Sequence, residues 1–168
     1  MASTVSASTL KVTITESITL NGSNQGVTNT VSVSNVDEVF KRIITCPANN
    51  ETRIADFHSA VADATITPFD VQDVVYMRLT NLDDTNNITI SLHIDVGEDD
   101  TAADETTSFL IQPGKSFMLG TPHDSYGASG TGDTGAAMIT NLQDLEALVV
   151  QPGANAIDVE LFVASASA

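Results

Sequence analysis

The stretch Val74-Val75-Tyr76-Met77-Arg78-Leu79-Thr80-Asn81-Leu82, then Asp83-Asp84-Thr85-Asn86-Asn87, then Ile88-Thr89-Ile90-Ser91-Leu92-His93-Ile94 decides the fold class. Apolar and polar residues alternate on both sides of a polar centre, the period of strands with one buried face. The Asp and Asn side chains between them cap their own backbone and favour a turn. The sequence therefore predicts two strands joined as a hairpin.

The same period recurs outward in both directions. Leu10, Val12 and Ile14 share one face, with Lys11, Thr13 and Thr15 on the other. This reads as a half-buried strand. The turn-forming run Asn21 to Gly26 and the alternation of Val27, Val31 and Val33 make residues 10 to 34 a second hairpin. The segment from Val36 to Thr45 is ambiguous: Ser34 with Asp37 resembles a capping box, and Val36, Val39, Phe40 and Ile43 have helical spacing. Its β-branched end and Pro47 favour a strand from about Phe40. Arg53 to Phe57 reads as a short strand, and Ala60 to Asp70 as an irregular connection.

Downstream, Leu110-Ile111-Gln112-Pro113-Gly114 is mirrored by Leu148-Val149-Val150-Gln151-Pro152-Gly153, each Pro-Gly corner leading into a new alternating strand. Leu142 to Leu148 has room for one helical turn. Eight to ten short antiparallel strands with turn signals about every ten residues predict an all-β, jelly-roll-like β-sandwich. Residues 1–9 read as a flexible N-terminal arm and residues 10–168 as a single domain.

Composition narrows function. The chain has 22 Asp and Glu against 6 Lys and Arg, a formal net charge of -16. Lys11, Lys41, Arg42, Arg53, Arg78 and Lys115 form no basic stripe, so nucleic acid is not an expected partner, nor is an anionic membrane surface. Such a charge is best tolerated where salt screens it. The single cysteine, Cys46, lies in an apolar run and reads as a buried small hydrophobe. Neither a signal peptide nor a stretch of membrane-spanning length is visible.

The sites that catalysis would require are not found. Gly130-Thr131-Gly132-Asp133-Thr134-Gly135 matches a dinucleotide-binding string but lacks the strand before it and the helix after it. It reads as a flexible loop. His123, Asp124, Ser125 and Ser129 lie close in sequence without a nucleophile elbow, and His58 and His93 stand alone, so neither hydrolase nor zinc chemistry is expected. Asp83-Asp84 and the run Glu98 to Glu105 read as solvated acidic loops in preference to Ca²⁺ sites, matching no EF-hand pattern. The sequons at Asn21, Asn50 and Asn87 carry weight only in a secreted protein. No catalytic, cofactor-binding or metal-ligating residues are expected, and no cofactor.

Three segments carry a resemblance: Tyr76 to Asn87 with its Thr80-Asn81-Leu82-Asp83, Phe109 to Phe117 around Gln112-Pro113-Gly114, and Ala156-Ile157-Asp158-Val159-Glu160-Leu161-Phe162-Val163. Together they make the chain, from Val31 onward, resemble small β-rich structural proteins encoded by tailed bacteriophages of marine and cyanobacterial hosts. The resemblance implies a non-enzymatic component of the virion, first a capsid decoration (cement) protein and second a tail or fibre component. It implies as partners other copies of the chain, with a trimer expected, and the major capsid protein or other virion proteins. A receptor- or carbohydrate-binding module is the alternative from another class; it would use the loops Asp83 to Asn87 and Gly120 to Gly135, with Tyr126 and Phe117 available for stacking.

Overall fold

A computed structural model of the chain describes residues 6–58, 68–94, 105–127 and 142–167. An N-terminal hairpin is built from β1 (Ser8–Thr15), β2 (Thr19–Leu20), β3 (Ser23–Asn24) and β4 (Thr28–Val36). After it come β5 (Glu38–Cys46), β6 (Thr52–His58), β7 (Pro68–Asp70), β8 (Val74–Asn81) and β9 (Ile88–Ile94). The last four are β10 (Glu105–Ile111), β11 (Ser116–Leu119), β12 (Leu145–Gln151) and β13 (Ile157–Ser165). No described residue is helical.

Two sheets face each other, one in the order β5-β13-β8-β11 and the other β7-β6-β12-β9-β10. With the short β7 set aside, the eight remaining strands pair as first-eighth-third-sixth and second-seventh-fourth-fifth, which is jelly-roll connectivity. Every pairing is antiparallel except that of β7, which runs parallel to β6 with Phe69 opposite Phe57. The nine strands of the two sheets fall within the expected eight to ten, and the N-terminal hairpin adds four more.

Alternation explains the layer between the sheets. Met77 and Leu79 of β8 and Val159, Leu161 and Val163 of β13 face Ile54, Ile90, Leu148 and Val150 of the other sheet, all essentially excluded from water. Aliphatic side chains fill this middle and phenylalanines close its sides. On the side of β5 and β7, Phe69 packs against Phe40 at 5.3 Å and Phe57 at 5.8 Å between ring centroids. On the opposite side Phe109 stacks on Phe117 at 5.2 Å, one from each sheet.

The central stretch departs from its expected form. β8 and β9 are both strands, but they do not pair: β8 lies between β13 and β11, and β9 between β12 and β10 in the opposite sheet. Alternation gives the same signal whether two strands share a sheet or face each other across a core. The turn between them decides, and here it carries the chain from layer to layer. Both Pro-Gly corners do the same, with Gly114 and Gly153 at φ of +66° and +64°, a conformation an L side chain disfavours.

Four such corners, at residues 47–51, 82–87, 112–115 and 152–156, gather at one end and bond to one another. Asn49 N donates to Gly153 O at 2.6 Å, Gly114 N to Asp83 O at 3.0 Å and Leu82 N to Asp158 O at 3.0 Å. At their centre the buried Asn81 donates its amide to Asn86 O at 2.8 Å and to Ile111 O at 3.4 Å, and accepts from Asp83 N at 3.0 Å. Asp83 in turn accepts from Asn86 N at 2.6 Å and Thr85 N at 2.7 Å. These backbone bonds hold its carboxyl below the ordinary value.

Other differences are local. β5 starts at Glu38 rather than near Phe40, and the connection expected to be irregular contains β7. Leu145, within the proposed helical turn, opens strand β12, a central strand between β6 and β9 whose Leu145, Ala147, Leu148, Val149 and Val150 are all buried. β1 is mostly exposed rather than half-buried. Ser8 and Thr9 of the expected N-terminal arm already belong to β1, while residues 1–5 lie outside the described residues.

Replacing Leu161 by Ala should cost about 3 kcal/mol of unfolding free energy in a denaturant titration, since the site is enclosed by two sheets. Asp83 has a folded-state pKa below its unfolded one, so its contribution is present above about pH 4 and is lost as pH falls through the folded value. Asp83→Ala should therefore lower the melting temperature at neutral pH, and scanning calorimetry should show the gap from wild type closing on acidification.

Candidate functional site

Residues 8–36 form an arm outside the two sheets. β1 and β4 pair with Leu10 opposite Val33, Val12 opposite Val31 and Ile14 opposite Asn29. One face of the ribbon is therefore apolar. The other carries hydroxyls, Thr13 bonding Thr30 at 3.2 Å and Thr28 bonding Thr15 at 3.3 Å. The tip turns at Asn21-Gly22, both at positive φ, as a two-residue hairpin turn requires. A Cβ on Gly26 would strike the Glu16 carbonyl, so only glycine closes the ribbon there. From Thr13 to Asn35 every side chain is exposed except at Gly26 and Val33.

The root of the arm is fixed. Asn35 takes a φ of 62°, Val36 is buried, and Asp37 N donates to Ser165 O at 3.1 Å. Ser167 N donates to the Asp37 carboxylate at 3.2 Å, and bonding from Ser167 holds that carboxyl below its ordinary value.

β1 and the outer face of the four-stranded sheet enclose an open cleft of about 330 Å³, where Leu10, Val12 and Ile14 meet Tyr76, Met118 and Phe162. Phe162 meets the edge of Tyr76 at 6.0 Å, and the Arg78 guanidinium lies 6.0 Å from its ring centre. Arg78 donates to Glu160 at 2.5 Å, and Lys41 stands 3.1 Å from the other oxygen of that carboxylate. Burial pushes Glu160 up, but the hydrogen bonds from Arg78 and Lys41 outweigh it and hold the carboxyl below its ordinary value. The floor of the cleft is thus apolar with its charges paired.

A second apolar surface lies along the side where β10 and β11 end their sheets. Phe109 and Leu110 of β10 are exposed there, Phe109 stacked on Phe117, while Met118 of β11 points to the cleft side. Among the described residues β10 pairs only with β9 and β11 only with β8, so each presents an open edge.

The groups weighed for chemistry fall elsewhere. His123 and Asp124 are joined by Asp144, which nothing in the sequence singles out and which lies 20 residues on. Asp144 Oδ1 stands 3.0 Å from His123 Nδ1 and accepts from Asp124 N at 2.6 Å. His123 Nε2 lies 3.4 Å from the Asp124 carboxylate. Three potential ligand groups meet here. Asp144 is at the same time tying down the turn before Tyr126. Ser125 donates its hydroxyl to His123 O at 2.8 Å, not to the imidazole, so no nucleophile-base pair forms. Ser129, the Gly130–Gly135 string and the acidic residues 98–104 lie outside the described residues. Glu105 begins β10, and His58 and His93 are strand residues in β6 and β9. Asp83 spends its oxygens on turn N–H groups. Tyr126 packs against the core, burial pushing its phenol up to about 12, and Phe117 is committed to Phe109. Cys46 is buried, and burial raises its thiol, leaving it unreactive.

No protein-family model and no curated protein matches the chain. Among solved structures it is similar to a protein from Bacillus endospore appendages, which form a novel family of disulfide-linked pili. The identity is 13%, the TM-score 0.38, and the match covers 77% of this chain and 88% of that one. A likeness of this size fixes neither function nor mode of assembly.

Phe162→Ala removes the side chain between Tyr76, Arg78 and the cleft. Hydrogen exchange should show faster exchange in residues 10–14 and unchanged protection in β12, because the arm leans on this ring and the core does not.

Proposed function

We propose that the chain is a non-enzymatic structural subunit that works through its outer surfaces, as a capsid decoration protein on a bacteriophage head. The observation that carries the structural role is the arm: its start leans on the sandwich at Leu10, Val12 and Ile14, but from Thr13 to Asn35 nearly every side chain is exposed, the apolar ones included. A two-stranded ribbon is marginal in water by itself and gains from a third strand or a packing partner. The resemblance of the Tyr76–Asn87, Phe109–Phe117 and Ala156–Val163 segments to tailed-phage structural proteins supports a place in the virion. A jelly roll suits this role without dictating it, since the fold also serves lectins and enzymes.

In this reading the partners are other copies of the chain, closed by cyclic symmetry as a trimer, together with the major capsid protein. The sandwich is the rigid body and the arm and open edges are the contacts. A tail or fibre position would use the same surfaces.

Size-exclusion chromatography with light scattering, followed by co-sedimentation with undecorated phage heads, tests the reading. Discrete oligomers or bound heads are expected. A chain that stays monomeric and leaves the heads bare overturns it.

A further inference from the structure

Between Ser6 and Val36 the only charged side chains are Lys11 and Glu16, and from Thr106 to Thr121 the only one is Lys115. The whole negative excess of the chain therefore sits elsewhere. These two carboxylate-poor segments are also where apolar side chains stand in water. On the arm they are Ile14, Ile18, Leu20, Val27 and Val31, the last 59% exposed. On the β10 edge they are Phe109 and Leu110, with Leu110 at 63%.

We infer that the arm of one copy docks on the β10–β11 side of a second copy, adding a strand to the open edge of β10. The inference rests on the structural-subunit reading and names the partner of its arm. Two copies of so acidic a chain repel each other over most approaches, and this one brings a ribbon whose only charges are Lys11 and Glu16 to an edge strand whose only charge is Glu105 at its start, with Lys115 just beyond its end. One contact covers both exposed apolar surfaces, whereas an arm-to-arm contact would leave Phe109 and Leu110 in water. The lengths agree: β10 has seven residues, β1 eight and β4 nine. The main chain supplies the bonds and the alternate side chains the specificity, as in strand addition generally. The other open edge in the four-stranded sheet, β5, exposes Val39 and Ile43 but interleaves them with Glu38, Lys41 and Arg42, the charged pattern that discourages pairing.

Because the two surfaces differ, the contact is heterologous and its repetition gives a closed ring or an open fibre. That makes it separable from every symmetric contact by mixing two variants of the full chain. Val31→Asp disables the arm and Leu110→Asp disables the edge, each at an exposed position. Val31→Ser and Leu110→Ser serve as milder counterparts, and circular dichroism checks the fold. By light scattering the wild type should be oligomeric and each Asp variant monomeric, with association weakened about 30-fold or more. An equal mixture of the two Asp variants should form a finite dimer, one good arm on one good edge. A wild type that assembles while Leu110→Asp assembles equally well, or a mixture that stays monomeric, overturns the inference and leaves the structural-subunit reading standing. A monomeric wild type that still binds phage heads also overturns the inference alone; one that does neither removes both.

Discussion

The four crossings of the chain from one sheet to the other that gather at one end are the constraint on which this architecture depends, and the buried side chain of Asn81 is their centre. An amide without partners in that position would cost a few kcal/mol. Asn81 instead meets three backbone groups, two in the corner at residues 82–87 and one at Ile111, where the corner at residues 112–115 begins, so the two corners are fixed relative to each other. Asp83 and the Pro-Gly turns extend this lattice of bonds across the whole end. With the corners fixed, the registers of β8, β9, β10 and β11 follow, and the aliphatic layer between the sheets can close without a disulfide.

Much of the fold is legible in the residues, because alternation and turn chemistry are local. Val74 to Asn81 and Ile88 to Ile94 announce strands, and the two Gln-Pro-Gly corners announce where strands end. What these signals lack is partnership. An inward-facing Leu79 looks the same whether the neighbouring strand lies beside it or 10 Å away across a core, so a sheet-to-sheet corner passes for a hairpin. The helical reading of Leu142 to Leu148 fails for a related reason: a central strand such as β12, buried on both faces, loses its alternation and resembles any short apolar run.

The candidate surfaces divide in the same way. The arm is readable as a ribbon from Leu10, Val12 and Ile14 against Val31 and Val33, with Asn21-Gly22 between. Its exposure is not, since an apolar face normally signals burial. The cleft joins Tyr76, Met118 and Phe162, residues with more than forty positions between each and the next, and Asp144 reaches His123 from across a connection of similar obscurity. Charge distribution, in contrast, is fully present in the sequence. It acquires meaning only when the carboxylate-poor segments prove to be the ones whose apolar side chains face water.

The path from β4 into β5 has a mechanical consequence. Asp37 alone separates the two strands, and β5 is paired along all nine residues with β13, from Cys46 opposite Ile157 to Glu38 opposite Ser165. A pull transmitted along the ribbon would load those pairs side by side in shear, so that they share the force and yield together, whereas the two-residue pairing of β2 with β3 at the tip would open like a zipper. The tip can deform while the root holds, so that a load on the ribbon is spent on the ribbon before it reaches the body that carries it.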